Sequence, residues 1–128
     1  MKTLITLSLL LLLTGAESAE SFFQSFKIAV SKRDVETIAR LSKFPIGMSY
    51  GVPAIKTKAQ LSRRYRQLFN EQTDAAACFS KVKVEMDPEN PKRFSVACPD
   101  AAGNEVMIYH FEQTKLGWKF TGLDNLNE

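Results

Sequence analysis

The chain has 128 residues, of which 45% are apolar and 24% are charged, and its formal net charge is +3. This composition is typical of a folded globular protein and excludes a long disordered chain. The length allows one domain with a single hydrophobic core and excludes two domains of ordinary size.

The first residues are predicted to form a cleavable export signal. A short basic start is followed by an almost continuous apolar run over residues 4–13 and then by small residues. This order is typical of a secretory signal peptide, and the run is shorter than the ~20 residues of a membrane-spanning helix. Cleavage after Ala16, Ser18 or Ala19 fits the small residues, and we favour Ser18. The alternative is a buried N-terminal helix.

The predicted signal defines the domain and its location. We predict a signal peptide at residues 1–18, a single domain at residues 19–128 and no stable membrane anchor. The location is then periplasmic or secreted, where the oxidising environment favours disulfide bonds.

Cys78 and Cys98 are the only cysteines, so a disulfide between them is the first expectation. Alternating apolar and polar residues on both sides of residues 87–91 predict an antiparallel hairpin. Pairing Val82 with Phe94 in this hairpin also places the two cysteines opposite each other. The alternatives are a pair of free thiols or a metal site, although a metal would need more ligands.

Helices are predicted in the first half of the chain. Apolar residues at helical spacing predict the first helix at residues 22–30, and Asp34 is predicted to cap a short second helix. The second helix is expected to end at Phe44-Pro45, because the residue before proline disfavours helix. A longer helix is predicted from Thr57 to about Asn70, with an apolar stripe made of Leu61, Tyr65, Leu68 and Phe69.

Strands are predicted in the second half. Residues 106–111 are apolar at odd and even positions, which predicts that both faces of the sheet are covered there. A turn cluster containing Gly103 precedes this strand, and a turn at Gly117 precedes the last strand. Helices followed by an antiparallel sheet give an α+β arrangement.

The order of these elements resembles the nuclear transport factor 2-like superfamily, also called the cystatin-like α+β fold. The resemblance is carried by residues 22–30, 32–34, 43–46, 61–69 and 117–120. It implies N-terminal helices packed on a strongly bent antiparallel sheet, a cone-like shape with an apolar pocket, and a homodimer through the outer sheet face. Members include isomerases, dehydratases and non-catalytic subunits, so the resemblance does not select a function.

His110 is the only histidine and the candidate proton carrier of an enzyme. If its side of the strand lines the pocket, Tyr65, Tyr109 and His110 form a candidate ligand-binding set. The alternative is a histidine held in the sheet by hydrogen bonds. No Ser-His-Asp spacing, phosphate-binding loop or metal-ligand cluster is visible in the sequence, so we predict no cofactor and no metal.

The densest positive region is a predicted basic patch made of Lys58, Arg63, Arg64 and Arg66. It indicates an anionic partner, and the alternative is a solvated helix face. Nucleic acid is not expected, because the chain is predicted to be exported and its pI of 8.9 is only moderately basic.

The leading functional hypothesis is an exported, non-catalytic domain that binds a small apolar or anionic ligand or a protein partner. One alternative is a small isomerase or lyase that uses His110 in the cone pocket. The other is an immunity or inhibitor protein that blocks a secreted toxin.

Overall fold

The structure is a computed structural model that describes residues 17–49 and 51–127. All but the last two residues of the predicted signal peptide lie outside this range, as does Tyr50. None of the described helices is both long enough and apolar enough to cross a membrane.

The helical part of the chain agrees with the sequence patterns at most positions. Asp34 and Thr57 cap the second and third helices, because their side chains accept hydrogen bonds from the backbone NH groups of Thr37 and Gln60. The apolar stripe of the third predicted helix is buried, although a π-helical turn follows its first turns. The elements are α1 (Ala19–Ser31), α2 (Val35–Arg40), α3 (Lys58–Arg63), the π-helical turn (Gln67–Glu71) and α4 (Ala75–Lys81).

Five strands form one sheet in the order β1-β5-β4-β3-β2. Neighbouring strands are antiparallel except β1 and β5, which are parallel. The α+β class is therefore confirmed, and the sheet is mixed rather than wholly antiparallel. The strands are β1 (Ser42–Met48), β2 (Met86–Asp87), β3 (Asn90–Pro99), β4 (Glu105–Thr114) and β5 (Gly117–Asn125).

The end of α2 differs from the prediction. The helix ends at Arg40, and Phe44-Pro45 lies inside β1 with a cis peptide bond. The chain enters the sheet directly after Leu41, whose carbonyl accepts a hydrogen bond from the backbone NH of Phe120. The strand pairing with β5, rather than the proline, therefore sets the end of the helix.

The folded unit includes Ser18, which the predicted domain boundary leaves out. The Ser18 hydroxyl accepts a hydrogen bond from the backbone NH of Ser21 at 3.0 Å, and its carbonyl accepts one from Phe22 at 3.0 Å. A side-chain cap of this kind stabilises a helix by about 1 kcal/mol. A cut after Ser18 would remove the cap of α1, whereas a cut after Ala16 would leave it in place.

Cys78 and Cys98 form a disulfide with a Cα–Cα distance of 5.7 Å. A short antiparallel hairpin does form around residues 87–91, between β2 and β3. Its predicted register is wrong, because Phe94 pairs with Met86 instead of Val82, residues 82–85 form no strand and Cys78 lies in α4. Asp74 caps α4 by accepting a hydrogen bond from the backbone NH of Ala77, and the alanines that follow favour helix. The disulfide therefore joins a helix to β3 instead of joining two strands.

The helices cover one face of the sheet, and aromatic rings fill the space between the two layers. The Phe26 ring of α1 lies 5.1 Å from the ring of Phe111 and 5.3 Å from that of Phe120. Phe79 of α4 lies 5.0 Å from Tyr109. All five side chains are completely buried. The space in which the resemblance places an apolar pocket is occupied by this core.

Loss of the disulfide should weaken the fold without changing it. The bridge closes a loop with a sequence separation of 20. We therefore expect the free energy of unfolding of the Cys78→Ala/Cys98→Ala variant to be about 3 kcal/mol lower than that of the wild type. Urea unfolding of both proteins measures the difference. The wild-type protein treated with reductant serves as the control and should lose a similar amount. Equal stability of oxidised and reduced protein would contradict the prediction.

The cap of α2 should make stability depend on acid pH. The Thr37 hydroxyl and backbone NH both donate to Asp34 and lower the pKa of this carboxyl below its usual 3.8. The stabilisation is therefore complete above that value and is lost as pH falls through the lowered native pKa. Thermal unfolding should show that Asp34→Ala is less stable than wild type at about pH 6 and that the difference shrinks at about pH 2. A difference independent of pH would contradict this assignment.

Candidate functional site

The alternation along β4 decides where His110 lies. Met107, Tyr109 and Phe111 are buried against the helical layer, whereas Ile108 and His110 lie on the opposite face and are half-buried. The prediction that His110 lies in a pocket between sheet and helices is therefore corrected. The prediction that both faces of this strand are covered also fails, because no described helix lies over the second face.

We call this uncovered surface the open face. It is the side of the sheet that carries the exposed side chain of Ser95 and the half-buried side chains of Ala97, Ile108, His110, Thr121 and Asp124. The register brings them together, since Ser95 pairs with His110, Ala97 pairs with Ile108, and Ile108 pairs with Asp124 on its other side.

Three of these side chains form a hydrogen-bonded chain that we call the polar row. The Ser95 Oγ lies 2.8 Å from His110 Nδ1, and His110 Nε2 lies 2.9 Å from Asp124 Oδ2. An ionised carboxylate only accepts hydrogen bonds, so Nε2 carries a proton and donates to Asp124. In neutral histidine Nδ1 is then an acceptor, and the Ser95 hydroxyl donates to it. The side chains of His110 and Asp124 are 37% and 47% exposed.

The polar row contains the residue types of a serine hydrolase triad, but the ring nitrogens are used in the opposite sense. In that triad the serine bonds to Nε2 and the carboxylate to Nδ1. Here all three residues project from adjacent strands of one sheet, and the ring lies beside Gly122 of β5. The arrangement fixes the orientation of the imidazole and satisfies both of its nitrogens.

Other polar side chains of this side of the sheet are paired in the same way. Thr121 donates to the Glu112 carboxylate at 3.0 Å, and Arg93 Nε donates to Asp87 at 2.7 Å. The backbone NH of Glu89, together with Arg93, lowers the pKa of Asp87 below its usual value. These pairs hold the surface side chains in one arrangement.

Tyr65 and Tyr109 do not line an open pocket. Their hydroxyls donate to the backbone carbonyls of Val30 at 3.0 Å and Leu68 at 2.6 Å, and both rings are buried. Burial raises the pKa of each phenol above its usual value. The predicted ligand-binding set is therefore separated by the sheet, with the tyrosines in the core and His110 outside.

The predicted basic patch is partly neutralised by neighbouring side chains. Lys58 forms an ion pair with Glu36, and Arg66 forms one with Glu71 at 3.1 Å. Arg64 donates hydrogen bonds to the Gln67 side chain and to the Pro53 carbonyl, each at 3.0 Å. Three of the four residues of the basic patch therefore already bind other groups of the protein. Among the described residues there is also no group of three or more histidine, cysteine or acidic side chains that could hold a metal ion.

No protein-family model matches the sequence, and no curated protein sequence matches it. Similar solved structures include proteins described as having a cystatin-like fold or as nuclear transport factor 2-like. A domain of unknown function with a cystatin-like fold from Nostoc punctiforme has 14% identity and a TM-score of 0.47, and the match covers 85% of this chain and 74% of the other.

Two further structures extend this comparison. A nuclear transport factor 2-like protein from Novosphingobium aromaticivorans has 13% identity and a TM-score of 0.48, with 94% and 86% of the two chains covered. A Δ5-3-ketosteroid isomerase from Mycobacterium has 12% identity and a TM-score of 0.46, with 81% and 88% covered. At these values the similarities carry no argument about the activity of this chain.

Sequence reasoning missed Ser95 and Asp124 as partners of His110. The three residues are far apart in the sequence and are joined only by strand pairing. The signal that could have found Ser95 is the turn at residues 100–104. A hairpin closed by this turn places Ser95 opposite His110, whereas the predicted hairpin is closed by residues 87–91.

Substitution of the buried Tyr109 should lower the stability of the fold more than substitution of Ser95 in the polar row. Tyr109→Phe leaves the buried Leu68 carbonyl without its donor, so we expect a loss of about 1–2 kcal/mol in the free energy of unfolding. Ser95→Ala removes an exposed hydroxyl and should change it by less than about 0.5 kcal/mol. Chemical denaturation of both variants measures these values. The reverse order of the two effects would contradict the placement of these side chains.

Proposed function

We propose that the protein is an exported, disulfide-bridged domain without catalytic activity that binds a protein partner through the open face of its sheet. The observation that carries the proposal is the contrast between the two faces. The inner face is filled by aromatic rings, while the outer face exposes a preorganised polar row.

The filled interior argues against a ligand bound between sheet and helices. Phe22, Phe26, Phe69, Phe94 and Phe120 are at most 1% exposed, and the ring of Phe69 stacks 5.7 Å from that of Tyr109. A small molecule could enter only if several of these side chains moved, and each displaced aromatic side chain costs packing energy. The same packing argues against the isomerase hypothesis, which places His110 inside this space.

The open face has the properties of a docking surface. Ile108 and Ala97 are adjacent apolar residues beside the polar row, and an interface centre is commonly apolar with polar groups around it. The polar side chains already pair with one another, so a partner would not leave them without hydrogen bonds when it covers them. The charges beside the polar row are mixed in sign, because Arg93 pairs with Asp87 and Asp124 lies beside His110. A surface of mixed charge is compatible with a second copy of the chain.

Two features support export. The N-terminal sequence has the order of a secretory signal peptide. The Cys78–Cys98 disulfide is of a kind that persists in oxidising compartments. Together they favour a periplasmic or secreted location for the interaction.

Native mass spectrometry of the protein purified from its own exported fraction tests the proposal. We expect a complex with a second copy or with another protein, and we expect Ala97→Arg to abolish it because a charged side chain would then sit beside Ile108. The matched control is Gln24→Arg, which places the same charge on an exposed position of α1. This control should preserve the complex.

Three results would overturn the proposal. One is a monomer without any partner in the exported fraction. Another is a complex that survives Ala97→Arg. The third is a small molecule that copurifies in stoichiometric amount and contacts the residues between the sheet and the helices.

A further inference from the structure

A groove with three lysines lies at one end of the sheet, between β1 and the turn that joins β4 to β5. We call it the lysine groove, and its cavity volume is about 810 Å³. This is within the range of roughly 300–1,000 Å³ that is usual for small-molecule sites. Its lining includes Lys43, Phe44, Glu112, Lys115, Leu116 and Lys119, and Phe44 also packs against the edge of the hydrophobic core.

Leu116, which contributes to the apolar part of the groove, lies in a turn fixed by hydrogen bonds. The Leu116 side chain is 85% exposed although leucine is a strongly apolar residue. The Thr114 hydroxyl donates to the Gly117 carbonyl at 2.8 Å and accepts from the Leu116 backbone NH at 3.1 Å. Gly117 has a φ of 100°, which favours glycine. These contacts fix the turn and keep Leu116 directed away from the core.

The charges of the groove distinguish it from the basic patch on the helices. Lys43 and Lys115 form no ion pair with any carboxylate in the described part of the chain. Lys119 is anchored, because its Nζ donates to the Arg40 carbonyl at 2.8 Å. In the basic patch, by contrast, Lys58 and Arg66 are already paired with glutamates.

We propose that the lysine groove binds a single-chain fatty acid, with its carboxylate between Lys43 and Lys115 and its alkyl chain along Phe44 and Leu116. Three lysines against the single carboxylate of Glu112, which already accepts a hydrogen bond from Thr121, leave the lining positively charged and favour an anion. The exposed leucine beside them offers an apolar contact to the same ligand. A fatty acid supplies both in one extended molecule. The inference does not rest on the proposed protein partner, since the groove lies at the end of the sheet and the polar row lies at its middle.

Titration with sodium decanoate below its micelle concentration tests the proposal, with binding followed by calorimetry and by backbone NMR shifts. We expect saturable binding and shift changes confined to residues 42–44 and 112–119. Decyltrimethylammonium has the same alkyl chain and the opposite charge, so it should not bind. Acetate has the carboxylate without the chain, and it should not bind either.

Charge reversal identifies the head-group contacts. Lys43→Glu/Lys115→Glu should weaken decanoate binding by about tenfold or more, since two favourable contacts become repulsive. The matched control is Lys83→Glu/Lys92→Glu, which makes the same charge change at exposed positions outside the groove. It should keep the affinity within about twofold. Both variants are checked for native circular dichroism.

Several outcomes would overturn the inference. Equal binding of decanoate and decyltrimethylammonium would show that charge does not select the ligand. Equal loss in the two double variants would show that net charge acts without the groove. Absence of saturable binding, or tighter binding of a short acidic peptide than of decanoate, would exclude the fatty acid.

Discussion

The packing of aromatic rings between the helices and the sheet is the constraint on which the rest of the structure depends. Phe26 of α1 contacts the rings of Phe111 on β4 and Phe120 on β5. Phe111 in turn lies 4.7 Å from the stacked ring of Phe94 on β3. Buried aromatic side chains contribute large apolar area and specific edge-to-face contacts. Because these residues occupy alternate positions of β3, β4 and β5, their burial also decides which residues face outward. The residues at the intervening positions of the same strands therefore lie on the other face, where three of them form the polar row.

The parts of the fold that depend on local sequence could be predicted. Helix α1 follows from its apolar spacing, and α2 follows from Asp34, whose cap is a contact within three residues. The α+β order follows from the same local patterns. The parallel pairing of β1 with β5 could not be predicted, since these strands are more than 70 residues apart and no local pattern encodes their direction.

The disulfide between Cys78 and Cys98 was predicted correctly, although the secondary structure around Cys78 was not. Alternation around Val82 and Val84 favoured a strand, and both residues do pack partly against the core. The Asp74 cap and the three alanines after it outweigh that alternation and place Cys78 on a helix. A helix lying on a sheet brings Cβ atoms as close as two paired strands do, so the disulfide distance alone does not distinguish the two arrangements.

For a related reason, the candidate site could be predicted only in part from the sequence. The alternation of side chains along β4 correctly grouped His110 with Ile108. Alternation alone does not say which of the two groups of side chains, at odd or at even positions, faces the helices. That choice depends on volume, because Tyr109 and Phe111 fill the inner layer and an imidazole with two polar nitrogens would need buried partners there. On the outer face those partners are Ser95 and Asp124, which only the pairing of three strands brings together. The burial of the rings and the exposure of the histidine therefore have a single cause, and a larger interior cavity would require a different set of aromatic residues.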